Sequence, residues 1–160
     1  MANTTFTGPV RSENGFQTIV KSASTGALTN EMTFSQYTAT VTVANGDTTG
    51  KEAAIGIPSN FIPMGVTIAV TTAATNAVTL TDIGTDANTD GFVDGISPAI
   101  NSTGFKGFFP CNGVLGMSGG TTTASTATAD EVELVVSGDP GGDTVIVLKF
   151  IGIASSSDAS

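Results

Sequence analysis

The fold is decided by the stretch Tyr37-Thr38-Ala39-Thr40-Val41-Thr42-Val43, in which apolar residues alternate with threonine. Successive side chains of a β-strand point to opposite faces of a sheet, so this period of two predicts a strand with one buried and one hydrated face. The residues that follow, Asn45-Gly46-Asp47, are those that form tight hairpin turns. The stretch therefore predicts antiparallel β-structure.

The same pattern recurs towards the C-terminus. Alternation predicts short strands at Ala53–Ile57, Val66–Val70, Val78–Ile83 and Val132–Val136. The run Thr144–Ile153 is almost continuously apolar, which favours a central strand with both faces covered.

The connections are predicted from turn-forming residues. Pro58 and Pro63 indicate a turn, and Ala73–Asn76 is expected to join its flanking strands in a hairpin. Gly84–Thr103 and Gly119–Ala129 are interpreted as loops, and Gly138–Asp143 as a turn.

Six or seven short strands with turns roughly every ten residues are typical of a jelly-roll-like sandwich or a small barrel. Val, Ile and Thr greatly outnumber Leu, which also favours sheet over helix. We therefore expect one all-β domain over residues 35–154, preceded by an extended N-terminal arm over 1–34 and followed by a flexible polar tail over 155–160.

The arm is predicted because its apolar residues are too widely spaced to build a core of their own. Its candidate contacts with a neighbouring subunit are Phe6, Val10, Arg11 and Phe16. A frayed terminus is the alternative interpretation of the same segment.

The charge excludes several kinds of partner. The 160 residues carry 14 acidic and 5 basic side chains, a formal net charge of −9. Because the basic residues are scattered singly and form no patch, we expect neither nucleic-acid nor anionic-membrane binding. No apolar run approaches the ~20 residues of a membrane span, and the first residues do not resemble a secretory signal. We expect synthesis in a cytoplasm.

The residue types also argue against catalysis. Histidine is absent and Cys111 is the only cysteine, which removes the histidine-based nucleophile systems and any disulfide within the chain. Cys111 is interpreted as a small buried hydrophobe. Glu131 and Glu133 are expected on a solvated strand face, so we predict no enzyme and no cofactor.

Three phenylalanines lie close together at Phe105, Phe108 and Phe109, next to Lys106. Stacking on nucleic-acid bases would use such a group. In an acidic chain, packing in the core or against another subunit is the better interpretation.

One acidic stretch resembles part of a calcium-binding loop. Asp86, Asn88 and Asp90 alternate and are followed by Gly91, with Asp94 at the ninth position. The twelfth position is Ser97, where a bidentate glutamate belongs. The four oxygen-bearing residues are therefore candidate calcium ligands, and an acidic turn between strands is the alternative.

Five stretches of the chain carry a likeness to known proteins: Thr4–Phe16, Ile57–Thr72, Leu80–Thr85, Asp90–Phe92 and Val145–Ile153. They resemble small β-rich virion structural proteins of tailed bacteriophages, in particular phages of marine bacteria and cyanobacteria. The resemblance implies a capsid decoration, or cement, protein that is usually a trimer and that binds the major capsid protein on the outer surface of the virion. It assigns no role to any single residue.

Two other functions remain open from the sequence. The chain is also compatible with a tail, fibre or head-spike component built on the same kind of domain. A calcium- or carbohydrate-binding β-sandwich module is the alternative of another class, although the chain lacks tryptophan and has one tyrosine with which to stack on sugars.

Overall fold

A computed structural model describes residues 16–21, 28–52, 61–114 and 132–155, and the regular elements in these ranges are all β-strands. They are β1 (Phe16–Lys21), β2 (Leu28–Val43), β3 (Thr49–Glu52), β4 (Phe61–Thr72), β5 (Leu80–Thr85), β6 (Asn88–Val93), β7 (Gly104–Pro110), β8 (Val132–Val136) and β9 (Thr144–Ser155). The prediction of an all-β protein is confirmed. Nine strands form within these ranges, where the sequence predicted six or seven.

The strands form one antiparallel sheet in the order β6-β5-β8-β3-β2-β9-β4-β7, and β1 pairs with β2 outside this path. The sheet is open and curls into a half-barrel, whose inner face carries the core. The jelly-roll connectivity stays a prediction.

The central part of the sheet is formed by β2 and β9. Ala39, Val41 and Val43 are fully buried while the threonines between them are exposed, as the alternation predicted. β9 pairs with β2 from Met32–Ser155 to Val43–Thr144, and its other edge pairs with β4. The central position predicted for this strand is confirmed.

Aromatic side chains link distant parts of the inner face. The rings of Phe92 and Phe150 meet edge to face with their centroids 5.1 Å apart, and those of Tyr37 and Phe61 at 4.8 Å. Cys111 is 1% exposed in the same core. Burial raises the pKa of its thiol to about 12, so it stays protonated and acts as the small hydrophobe predicted.

The predicted hairpin across Ala73–Asn76 is wrong. β4 lies between β9 and β7, while β5 lies between β6 and β8. The amide of Ala74 donates to the carbonyl of Ile100 at 3.0 Å, and that of Thr75 to Pro140 at 2.8 Å, so this segment is bonded to other loops. Alternation predicts a strand but carries no information about its partner.

The predicted loop Gly84–Thr103 is also wrong, because it contains β6. Phe92, Val93 and Ile100 are buried in the core, which fixes this region against β5. Pro63, expected in a turn, lies within β4 at a shift in register opposite β9, a position where a strand tolerates proline.

Other predictions fall partly or wholly outside the described residues. The strand at Ala53–Ile57 and the loop at Gly119–Ala129 are among them. The strand β1 pairs with residues 28–34, which are the first part of β2. Residue 34, where the arm was expected to end, therefore lies inside β2. The boundaries of the arm and of the tail stay predictions.

Candidate interaction surface

The outer face of the sheet carries an apolar surface built by β2, β9, β4 and β7. Five of its side chains are large and exposed, and a sixth is partly buried beside them. We call the set formed by Phe34, Ile62, Phe105, Phe108, Ile151 and Ile153 the apolar face.

The register of the strands makes this surface continuous. Phe34 of β2 lies opposite Ile153 of β9, which lies opposite Ile62 of β4. Since directly paired residues of neighbouring strands point to the same side of a sheet, these three form one row.

The next row continues the surface towards β7. Ile151 lies opposite Gly65, and the ring of Phe108 lies directly above this glycine, where a Cβ would be 2.1 Å from the ring. Glycine at position 65 thus leaves the space that the far end of the Phe108 ring occupies.

The exposure of these side chains distinguishes them from the core. Phe105 is 69% exposed and Phe108 is 52% exposed, whereas Phe109 packs against the core. Of the three phenylalanines expected in the core or at a subunit contact, one therefore belongs to the core and two to the apolar face. The largest exposed apolar patch of a protein usually measures a few hundred Å² and is often a functional surface.

The four strands that build the face have no acidic side chain over residues 34–43, 61–72, 104–110 and 144–153, although the chain has a net charge of −9. Their charged residues are Lys106 and Lys149. The carboxylates lie elsewhere, and those of Asp82, Asp86, Asp90 and Asp94 are on or beside β5 and β6, at the other end of the sheet. The surface is thus apolar and free of negative charge.

The edge at β7 is unsuited to pairing with another strand. Ile68 lies opposite Gly107 and Ala69 opposite Phe105, so Lys106 is an extra residue in a bulge. Gly107 has a φ of 132°, which distorts the strand further. A bulge and a lysine are two ways in which natural sheets prevent edge-to-edge association.

The edge at β6 is covered by the segment that follows β7. The amide of Gly113 donates to the carbonyl of Phe92 at 3.1 Å, and Asn112 exchanges hydrogen bonds with the backbone of Asp94 at 2.9 and 3.0 Å. In the same segment, the backbone amide of Cys111 donates to the carbonyl of Met64 in β4 at 3.0 Å. The segment thus joins β4 to β6 across the open side of the half-barrel.

The predicted arm contacts are placed only in part. Phe6, Val10 and Arg11 lie outside the described residues. Phe16 is the first residue of β1 and lies opposite Phe34 in the ladder. The N-terminal segment therefore joins the sheet next to a corner of the apolar face.

The structure does not gather the predicted calcium ligands. Asp86 lies in the turn between β5 and β6, Asn88 and Asp90 lie in β6, and Asp94 follows that strand. Among the described residues, no three carboxylate, thiol or imidazole groups lie close enough together to hold a metal ion. The calcium site stays a prediction without a preformed set of ligands.

Asp86 instead takes part in an ion-pair group with Lys51. The ammonium group of Lys51 donates to a carboxylate oxygen of Asp86 and lies 3.5 Å from Oε2 of Glu133. The hydrogen bond to Asp86 and the charge of Glu133 raise the pKa of Lys51. Lys51 and Glu133 are direct neighbours on β3 and β8.

The burial of Glu133 differs from the prediction made from the sequence. The sequence placed it on a solvated strand face, but it is only 5% exposed. A buried carboxylate is stabilised when a cation lies beside it, and Lys51 supplies that cation. Glu131 lies outside the described residues.

The loops at one end of the sheet are held together by aspartates. Oδ1 of Asp139 accepts from the amides of Gly46 at 2.9 Å and Gly141 at 2.8 Å, and these bonds lower its pKa. Oδ1 of Asp143 accepts from the amide of Asn45 at 2.9 Å. The predicted turn at Gly138–Asp143 therefore also fixes the turn that follows β2.

The apolar face was not predicted, although the sequence contains a signal for it. Val145, Val147 and Ile151 of β9 alternate with the core residues of that strand, and a continuous apolar run of this kind favours burial on both sides. In the structure Ile151 is 36% exposed. An apolar run combined with four acid-free stretches, residues 34–43, 61–72, 104–110 and 144–153, in an acidic chain would have indicated the face.

Comparison with known proteins found no matching family model, no similar curated protein and no similar solved structure. Within its described part, the structure contains no helix that is long and apolar enough to cross a membrane.

Proposed function

We propose that the protein is a structural, non-enzymatic component of a bacteriophage virion that decorates the outer surface of the capsid. In this role it bridges and stabilises major capsid subunits, to which the N-terminal arm residues Phe6, Val10, Arg11 and Phe16 attach it. The proposal includes self-association, for which the resemblance implies a trimer, and synthesis in the bacterial host cytoplasm. It includes no cofactor, no nucleic acid and no membrane.

The observation that carries this proposal is the acid-free apolar face. A protein of this charge that leaves three exposed phenylalanines and two exposed isoleucines on one side is suited to bury them against protein. A shell subunit needs this property because its task is to bind its neighbours.

Two further features support a position outside the shell. The net charge of −9 opposes contact with packaged DNA, whose phosphates attract basic surfaces. The resemblance of the N-terminal and central stretches to small phage virion proteins implies the same location.

The test mixes the purified protein with capsids that lack it and maps the bound copies by cryo-electron microscopy. We expect density at a site that repeats over the capsid lattice, with the N-terminal segment in contact with the shell. Density confined to the tail or to a vertex would instead assign the protein to a tail, fibre or spike. No bound density would contradict the proposal as a whole.

The role of the arm is tested with a variant that lacks residues 2–15, which leaves β1 intact. We expect this variant to keep the circular dichroism spectrum and melting temperature of the full chain but to occupy fewer capsid sites. The matched control is the full chain at the same concentration. Full occupancy by the shortened protein would show that the arm does not attach it.

A further inference from the structure

We infer that the apolar face is covered by a second copy of this chain, packed sheet against sheet. This inference rests on the proposal that the protein assembles with protein neighbours, and it names the neighbour for one surface. The N-terminal segment is then left to contact the capsid.

The size of the face matches what a stable association requires. With about 200 Å² for each ring, the exposed fractions of Phe34, Phe105 and Phe108 amount to roughly 300 Å². Ile62 and Ile151 add to this area. A standard interface buries about 800 Å² per partner, and a little over half of it is apolar. The face therefore supplies most of the apolar area that a pair of copies needs.

The charge distribution favours a copy of the same chain as the occupant. Two molecules with a charge of −9 repel each other wherever their carboxylates approach. The stretches of the four strands that build the face, residues 34–43, 61–72, 104–110 and 144–153, carry no carboxylate, so two copies can meet there without bringing carboxylates together. Lys149 lies on the same outer face, between Thr38 and Thr67 and in the row that ends on Phe108, so its long side chain has to extend past the contact into water.

At both ends of the strand order, β7 and β6, the geometry favours packing by faces over extension by edges. Lys106 and the bulge obstruct the edge at β7, and Asn112 and Gly113 cover the edge at β6. The outer face of the four strands is a pleated surface of threonine, isoleucine and phenylalanine, and such surfaces pack on one another about 10 Å apart.

The experiment measures the mass of the full chain by sedimentation equilibrium. We expect twice 15.9 kDa for the natural sequence, since a face packed on the same face of a second copy pairs the chains two by two. Three times this mass would require a different, head-to-tail contact and would overturn the inference. The variant F34D/I62D places a carboxylate on two of the three strands in the row, and we expect it to sediment as a monomer. The control A99D adds the same charge at an exposed site beyond β6 and should keep the natural mass.

Circular dichroism establishes that each variant is folded. If F34D/I62D does not fold, the uncharged variant F34S replaces it, and we expect its dissociation constant to rise about tenfold. A natural chain that is monomeric at its highest soluble concentration would overturn the inference. An unchanged mass of the folded charge variant would overturn it equally.

Capsid binding separates this inference from the proposed function. A monomer that still fills the capsid lattice would leave the decoration role intact while contradicting self-association. An oligomer that binds no capsid would support self-association while contradicting the decoration role. If deletion of residues 2–15 converts a monomer to an oligomer, the face is covered by its own N-terminal segment, and a second copy is excluded as its natural occupant.

Discussion

At the scale of single residues, Asp139 is the main link between three loops. Its carboxylate accepts hydrogen bonds from the amides of Gly46 and Gly141, while its carbonyl accepts from Nδ2 of Asn76 at 2.9 Å. The side chain is exposed, so its effect comes from these directed bonds and not from burial. Bonds to the ionised form lower its pKa in the folded state.

The lowered pKa makes a prediction about stability and pH. The stabilising contribution of Asp139 is present above its pKa in the unfolded chain and is lost as the pH falls through its folded-state pKa. We expect D139N to lower the melting temperature at neutral pH and the difference from the natural protein to shrink in acid. Calorimetry at a series of pH values measures both quantities.

The control for this prediction is D90N, which removes one charge from an exposed position of β6. It should melt close to the natural protein throughout the series. If D139N and D90N behave alike, the loss of one negative charge from the chain, and not the weakening of the two amide bonds to the ionised carboxylate, explains the result.

At the scale of elements, the segment after β7 determines how the open side of the half-barrel is bridged. Gly113 lies so close to β6 that an added Cβ would be 2.2 Å from the carbonyl oxygen of Asp90 and 2.4 Å from that of Gly91. Both obstacles are backbone atoms, which cannot rotate away. A glycine is therefore required for the segment to reach β6.

We expect G113A to destabilise the protein by about 1–3 kcal/mol, since overpacking forces the backbone apart. Urea unfolding followed by circular dichroism measures this change in the free energy of unfolding. G138A is the control, because its Cβ would make only an ordinary contact of 3.7 Å with Val78. Equal stability of the two variants would indicate that the segment does not hold β6 in place.

At the scale of the whole molecule, charge and apolar surface are separated along the sheet. Asp82, Asp86, Asp90 and Asp94 are associated with β5 and β6, whereas the apolar face lies on the four strands at the other end. Because the pairing order brings β2, β9, β4 and β7 together, segments far apart in the sequence contribute to one surface.

This separation predicts how salt affects self-association. Two acidic molecules repel at long range, and this repulsion is screened when the Debye length falls from about 10 Å at 0.1 M salt to about 3 Å at 1 M. We expect the association constant of the natural chain to rise with sodium chloride, as measured by sedimentation equilibrium. An association that weakens with salt would indicate that ion pairs, and not the apolar face, hold the copies together.

The extent to which the sequence predicted the structure differs among the elements. The strand at residues 37–43, the central strand and the buried thiol of Cys111 were predicted, because alternation, composition and side-chain type act locally. The hairpin at Ala73–Asn76 and the loop over β6 were wrong, because strand partners are chosen across the chain. Glu133 was predicted to lie in solvent because its neighbour in the sheet, Lys51, is far from it in the sequence.

The sequence by itself determined the all-β class, the inward faces of the principal strands and the acidic charge that argues against nucleic acid. These properties follow from the period of two and from side-chain chemistry, which require no knowledge of neighbours. The tertiary structure alone decided which strands pair, which apolar side chains remain exposed and how the four strands of the apolar face combine. A strand has two faces with the same local pattern whether or not another layer covers them, so exposure depends on what the rest of the chain places there.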